Sequence, residues 1–90
     1  PDTVLINTVG ELGLADVSLF PNPVSSVIYF DLGTQSALDL RIYDQLGRLL
    51  NTQNIANSGS IDLSEYASGS YLFSFTSKEG ARKVVPVIIQ

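Results

Sequence analysis

Between Ser70 and Thr76 the chain alternates strictly, with Tyr71, Phe73 and Phe75 on one side and Leu72, Ser74 and Thr76 on the other. A period of two is that of a β-strand. Those three rings are three of only eight aromatic residues in the 90-residue chain, so burying them together gives the largest single block of apolar area the sequence offers. The stretch is expected to be a core strand, preceded by a short strand at Ile61 and a tight corner. Any fold for this chain has to cover that face.

The remaining segments repeat the pattern. Residues 1–16 mix small, polar and aliphatic types and are broken by Gly10 and Gly13, which reads as a linker with Val4 to Ile6 loosely pairing. A chain that begins Pro-Asp is expected to be a fragment of a longer protein. Val17 to Phe20 reads as a short strand stopped by Pro21, Asn22 and Pro23, a rigid corner in which two prolines remove two backbone donors. Val27 to Leu32 places Ile28, Phe30 and Leu32 on one face, and Ala37 to Tyr43 alternates Leu38, Leu40 and Ile42 with Asp39, Arg41 and Tyr43. The stretch Asp44-Gln45-Leu46-Gly47 reads as a hairpin connection: the carboxylate accepts from the backbone two residues on, and Gly47 takes a left-handed conformation. Arg48 to Ile55 returns antiparallel. A second turn is expected at Asn57 to Gly59, a short strand at Ser60 to Leu63, a tight helical turn or irregular corner at Ser64 to Ser68, and a hairpin tip at Lys78-Glu79-Gly80 before a last strand, Ala81 to Ile89. Seven short strands at intervals of roughly 8 to 12 residues predict an all-β, antiparallel sandwich over residues 17–90.

Composition removes several function classes. The formal charge is −4 and the cations are Arg41, Arg48, Lys78, Arg82 and Lys83, a balance that speaks against nucleic acid and anionic lipid as partners. Without histidine or cysteine, the usual nucleophile–base pairs and zinc ligand sets are missing. No catalytic residue and no cofactor are expected. The carboxylates Asp31, Asp39, Asp44, Asp62 and Glu65 are scattered and form no calcium-loop motif, and there is no glycine-rich phosphate cradle. The longest uncharged apolar run, Val84 to Ile89, has six residues and a proline inside it, against about 20 for a membrane-spanning helix.

Four short motifs stand in register: Leu19-Phe20-Pro21-Asn22-Pro23; Ile42-Tyr43-Asp44 with Gly47 and Arg48; Ile61-Asp62-Leu63-Ser64 with Gly69 and Tyr71; and Lys83 at the start of the last strand. In this order and spacing they resemble the type A C-terminal sorting domain of the type IX secretion system, from about Val17 to Gln90. The resemblance implies an immunoglobulin-like sandwich at the C-terminus of an exported cargo protein, serving as its address for passage across the outer membrane. It further implies transit through the periplasm, removal by a sortase-like surface peptidase at a bond within residues 1–16, and a cargo attached to the cell surface or released.

On this reading the residues that carry recognition or mark the family are Pro21, Asn22, Pro23, Asp44, Gly47, Arg48, Gly69 and Tyr71, together with Arg82, Lys83, Val84, Val85, Val87, Ile88 and Ile89. The two glycines answer conformational needs, and Tyr71 is expected in the core with its hydroxyl on a backbone partner. Pro86 places the last strand at a sheet edge or leaves one side of it unpaired. An unpaired edge is open to strand addition by the secretion machinery or by a second copy of the domain, with Arg82 and Lys83 giving electrostatic register; the other reading is a strand packed on both faces. A competing function is an accessory immunoglobulin-like module that stays attached and binds carbohydrate or protein through Tyr29, Tyr43 and Tyr66.

Overall fold

Alternating burial along residues 27–31, 37–44 and 82–89 sets the architecture. The computed structural model describes Leu14 and Asp16 to Gln90; most of the expected linker, including the pairing expected at Val4 to Ile6, lies outside the described residues. Seven strands follow in order: β1 (Ser18–Phe20), β2 (Val27–Asp31), β3 (Ala37–Asp44), β4 (Leu49–Ala56), β5 (Ser58–Asp62), β6 (Gly69–Thr76) and β7 (Arg82–Ile89). They form a three-stranded sheet, β1-β2-β5, facing a four-stranded sheet, β4-β3-β6-β7, with every strand pair antiparallel. The fold is an all-β immunoglobulin-like sandwich, as the strand spacing predicts.

The inner faces hold the residues that the period of two selects. Phe73 and Phe75 are fully buried and Tyr71 nearly so; Leu38, Leu40 and Ile42 cover them from β3, and Ile28, Phe30 and Leu32 from the facing sheet. The register pairs Ile42 with Phe73 and Leu40 with Phe75, so the aromatic face is laid against the aliphatic one by strand pairing itself. Leu14, inside the stretch expected as linker, is also fully buried, and its carbonyl accepts the Val17 N–H at 3.1 Å.

One turn differs from its expectation. Asn57 alone turns the chain, at a φ of +54°, and β5 starts at Ser58, so Ser58 and Gly59 are strand residues. Gly59 lies opposite Phe30, and a Cβ there would stand 3.0 Å from the Phe30 ring. The glycine makes room for the ring; it does not make the turn. The corner serves to carry the chain from the four-stranded sheet into the three-stranded one, where the Asn57 N–H still donates to Ser36 and the Asn57 carbonyl already accepts from Leu32. Ser64 to Ser68 is an irregular corner, with the Tyr66 N–H on the Leu63 carbonyl.

Candidate functional site

The Asp44 hairpin is held by its first residue. Asp44 Oδ1 accepts the Leu46 and Arg48 N–H groups at 2.8 and 2.9 Å, and Oδ2 accepts the Arg48 Nε–H at 2.7 Å. Gly47, at a φ of +85°, turns its N–H back to the Asp44 carbonyl. The Arg48 backbone N–H is the main reason the Asp44 carboxyl lies below its ordinary range, with the guanidinium and the Leu46 N–H adding to it against the cost of burial. The Arg48 side chain is 72 % exposed: Nε is committed to Asp44 and the two terminal nitrogens face solvent. The β6–β7 hairpin repeats the plan with a hydroxyl, Ser77 Oγ accepting the Ala81 N–H and the Gly80 N–H closing on the Ser77 carbonyl.

Strand register brings this hairpin to the same end of the sandwich as the Gly69 and Tyr71 motif and the end of β7. Asp44 stands opposite Tyr71, Tyr71 opposite Val87, and Gly69 opposite Ile89. The Tyr71 hydroxyl donates to the Ala67 carbonyl at 2.6 Å, a tie from the start of the sixth strand to the preceding corner that immunoglobulin-like sandwiches use. Its ring meets Tyr66 at 5.6 Å, and burial pushes the Tyr66 phenol up. Asp44, Arg48, Tyr66, Gly69 and Tyr71 line an open cleft of about 470 Å³. Both carboxylate oxygens of Asp44 are used, so the cleft offers the outer nitrogens of Arg48 beside the Tyr66 and Tyr71 rings, with Glu65, Ser68 and Ser70 also in its lining. Among the described residues no three acidic side chains gather into a metal-binding group.

The Pro21-Asn22-Pro23 corner, whose Phe20–Pro21 and Asn22–Pro23 bonds are cis, lies along the outside of β7. Asn22 Nδ2 donates to the Pro86 carbonyl at 2.9 Å, and its Oδ1 accepts the Ile88 N–H at 3.1 Å. Val24 continues the contact, donating to Ile88 and accepting from Gln90. An asparagine side chain and one residue of backbone thus stand in for a neighbouring strand over the second half of β7, from Pro86 on. Because these contacts fix which groups of Pro86 and Ile88 turn away from β6, the period of two turns the N–H and C=O of Arg82 and Val84 the same way. Among the described residues nothing covers that part of the edge.

The same period separates the two cations of β7. Lys83 points inward with Val85, Val87 and Ile89, and its Nζ donates to the Val17 carbonyl at 2.9 Å, tying the last strand to the start of the facing sheet. Arg82 lies on the outer face with Val84, Pro86 and Ile88. Next to them on β6, Leu72 sits opposite Pro86 and is flanked on β3 by Tyr43, while Ser74 sits between Val84 and Arg41. Leu72, Val84 and Ile88 are each about two-fifths exposed. The result is an apolar strip on the outer face, bordered by Arg41 and Arg82.

The three tyrosines of the competing reading are far apart in the topology. Tyr29 is on the outer face of the three-stranded sheet, stacked at 6.0 Å on Phe20; Tyr43 is on the outer face of the other sheet; Tyr66 is at the end corner. The sequence reading missed Phe20 as the partner of Tyr29, and the roles of Asn22 and Leu72. Only the outward position of Leu72 had a local signal, its place in the β6 alternation.

No curated protein matches the chain. Residues 18–90 match the family described as the secretion system C-terminal sorting domain, a match that begins at the first residue of β1 and takes in all seven strands, the two hairpins and the sealed end of β7. The chain therefore belongs to the family of type IX secretion C-terminal sorting domains.

Proposed function

We propose that this sandwich, as a member of the sorting-domain family, serves as the sorting signal of an exported protein and engages the type IX secretion machinery. We propose that the machinery docks on β7 and the outer face beside it, using the strip formed by Leu72, Val84, Pro86 and Ile88 with Arg41 and Arg82 at its border. The exposed strip is the observation that carries this reading. Single exposed aliphatic residues are ordinary, but here three lie on two adjacent strands of one sheet, next to an uncovered stretch of edge at Arg82 and Val84. Arg82 supplies the free charge, while Lys83 acts within the fold. The family markers at the other positions serve the platform: Asp44, Gly47 and Arg48 set one hairpin, Gly69 and Tyr71 set the start of β6, and Asn22 holds β7 in place.

In the same proposal the domain, residues 17–90, is removed by a sortase-like surface peptidase at a bond within residues 1–16, after periplasmic transit. The cargo preceding it then stays on the outer-membrane surface or is released. A retained binding module is the second reading, favoured by one feature: Phe20 and Tyr29 stack in the open, each about half exposed, beside Asp31, Ser58 and Ser60, a surface suited to sugar stacking. Mass spectrometry of the mature surface protein separates the two. Peptides from β1 to β7 should be missing from it under the first reading, and their presence at the level of the cargo peptides would favour the second.

A further inference from the structure

The second edge of the four-stranded sheet is β4; a bulge at Leu50 interrupts its start, where the β3 register shifts between Ile42 and Tyr43, and among the described residues nothing covers the regular stretch from Asn51 to Ala56. From Leu49 to Ala56 it has eight residues with no charge and no proline, and every side chain but Ile55 is exposed. The Asn57 N–H donates to Ser36 in the β3–β4 ladder; with a period of two, Ile55, Gln53 and Asn51 also turn their backbone groups to β3, and Thr52, Asn54 and Ala56 turn theirs away. Among the described residues no group bonds those outward N–H and C=O groups. Natural sheets protect such edges with lysine, proline or a covering segment, as this chain does at β7.

We infer that β4 pairs with β4 of a second copy, antiparallel about a two-fold axis at Gln53, so that two four-stranded sheets join into one of eight strands. Three observations favour a copy of this chain as the occupant. First, the register centred on Gln53 pairs Thr52 with Asn54 and Asn51 with Ile55 of the partner, using the regular stretch of the strand beyond the bulge at Leu50. No like charges meet on it, although each copy carries −4. Second, the outer-face side chains are complementary. Asn54 Nδ2 is committed to Asp39 at 3.0 Å, leaving its Oδ1 as acceptor for the Thr52 hydroxyl of the other copy; on the opposite face, where Gln53 lies across from Leu40 and its Nε2 donates to Asn51 Oδ1 at 3.2 Å, its amide oxygen stays open toward its own equivalent. Third, the β3–β4 register sets Arg41 beside Thr52 and Asp39 beside Asn54, so each row across the join runs from Arg41 of one copy to Asp39 of the other.

A single added strand pair buries little area, which puts the contact in the weak, transient class. Its consequence for sorting, which rests on the function proposed above, is geometric. Both copies of β7 lie at the outer ends of the joined sheet, roughly 34 Å apart at about 4.8 Å per strand spacing. A pair of cargo chains then carries two addresses, and simultaneous engagement raises affinity without a new contact.

The test is sedimentation velocity on the 90-residue chain from about 10 µM to 1 mM, with residue-resolved amide exchange by NMR at both ends of that range. The inference expects a monomer–dimer equilibrium, with the Thr52 and Asn54 amides exchanging at least tenfold more slowly at high concentration and the Val84 amide unchanged. Thr52→Pro removes an outward donor only, and should raise the dimer dissociation constant at least tenfold while leaving the exchange protection of β3 and β6 in place. Thr52→Lys, which sets two cations near the axis, should do the same with the ladder intact. A chain that stays monomeric at 1 mM overturns the inference, as does a dimer that survives both variants or protects Val84 in place of Thr52. None of these readouts depends on export, so failure of the sorting proposal would leave them unchanged.

Discussion

At one edge of the four-stranded sheet β7 carries Pro86 and is overlaid by Asn22 and Val24; at the other, β4 has neither proline nor charge, and among the described residues nothing is laid against it. Both strands have eight residues and one buried neighbour, so length and pairing do not distinguish them. The difference lies in what meets the outward N–H and C=O groups. On β7 the sequence supplies a substitute strand from 64 residues away, leaving Arg82 and Val84 uncovered; on β4 the described residues supply none. An edge can be recognised from its own residues, whereas its cover comes from elsewhere in the chain. The last strand, read from sequence as an edge because of Pro86, is an edge strand, closed at Pro86 and Ile88 and open at Arg82 and Val84.

The sharpest way to break this comparison is a proline scan of β4. Gln53→Pro deletes a donor that pairs with β3 and should destabilise by about 3 kcal/mol or more, whereas Thr52→Pro deletes an outward one and should cost less than about 1 kcal/mol. Urea unfolding midpoints that do not separate the two would show the edge assignment to be wrong. Next in size is Asn22→Ala, which removes both side-chain bonds to β7 and should cost about 1–3 kcal/mol at roughly 0.5–1.5 kcal/mol per bond. It should also speed amide exchange at Ile88 and leave Thr52 untouched; the reverse pattern would put the cover on the wrong strand.

A smaller effect divides the two cations of β7. Lys83→Met keeps the apolar stem and loses the bond to Val17, for a cost of about 1 kcal/mol, while Arg82→Met should stay within about 0.5 kcal/mol. Equal losses in thermal unfolding would contradict their placement on opposite faces. The smallest effect is a slope. The Asp44 carboxyl is held below its ordinary value of 3.8 in the folded chain, so its stabilisation is complete above that value and is lost as pH falls through the lower folded one. Asp44→Asn should flatten the stability–pH curve in that acid range while leaving its shape near pH 7 unchanged, and an unaltered acid limb would remove Asp44 from the account.

The core strands were legible because one face of each is buried and the other is not, which writes the period of two directly into Tyr71, Phe73 and Phe75 and into Leu38, Leu40 and Ile42; β4, exposed on both faces but for Ile55, was legible only as the return of the Asp44 hairpin. The Asp44 hairpin was legible because its hydrogen bonds are local. Asn57 to Gly59 was misread as a longer turn because Gly59 looks like a turn residue, and its true reason, the Phe30 ring on the paired strand, is a tertiary contact. Asn22 had the same problem at greater range: its partners Pro86 and Ile88 are brought to it only when the sandwich closes. The opposite faces of Arg82 and Lys83 follow from the period, but the use of Lys83 as a tie to Val17 does not.

A folded fluorescent passenger with its own signal peptide, fused ahead of Pro1, tests the sorting role most directly when expressed in a host with the type IX machinery and in one without it. Fluorescence at the surface or in the medium of the competent host alone is expected, and it should fall to the background of the deficient host when Leu72 and Ile88 are both replaced by Asp in a domain shown to remain folded. Periplasmic retention of the unaltered fusion in both hosts, with the sandwich folded, would contradict the account.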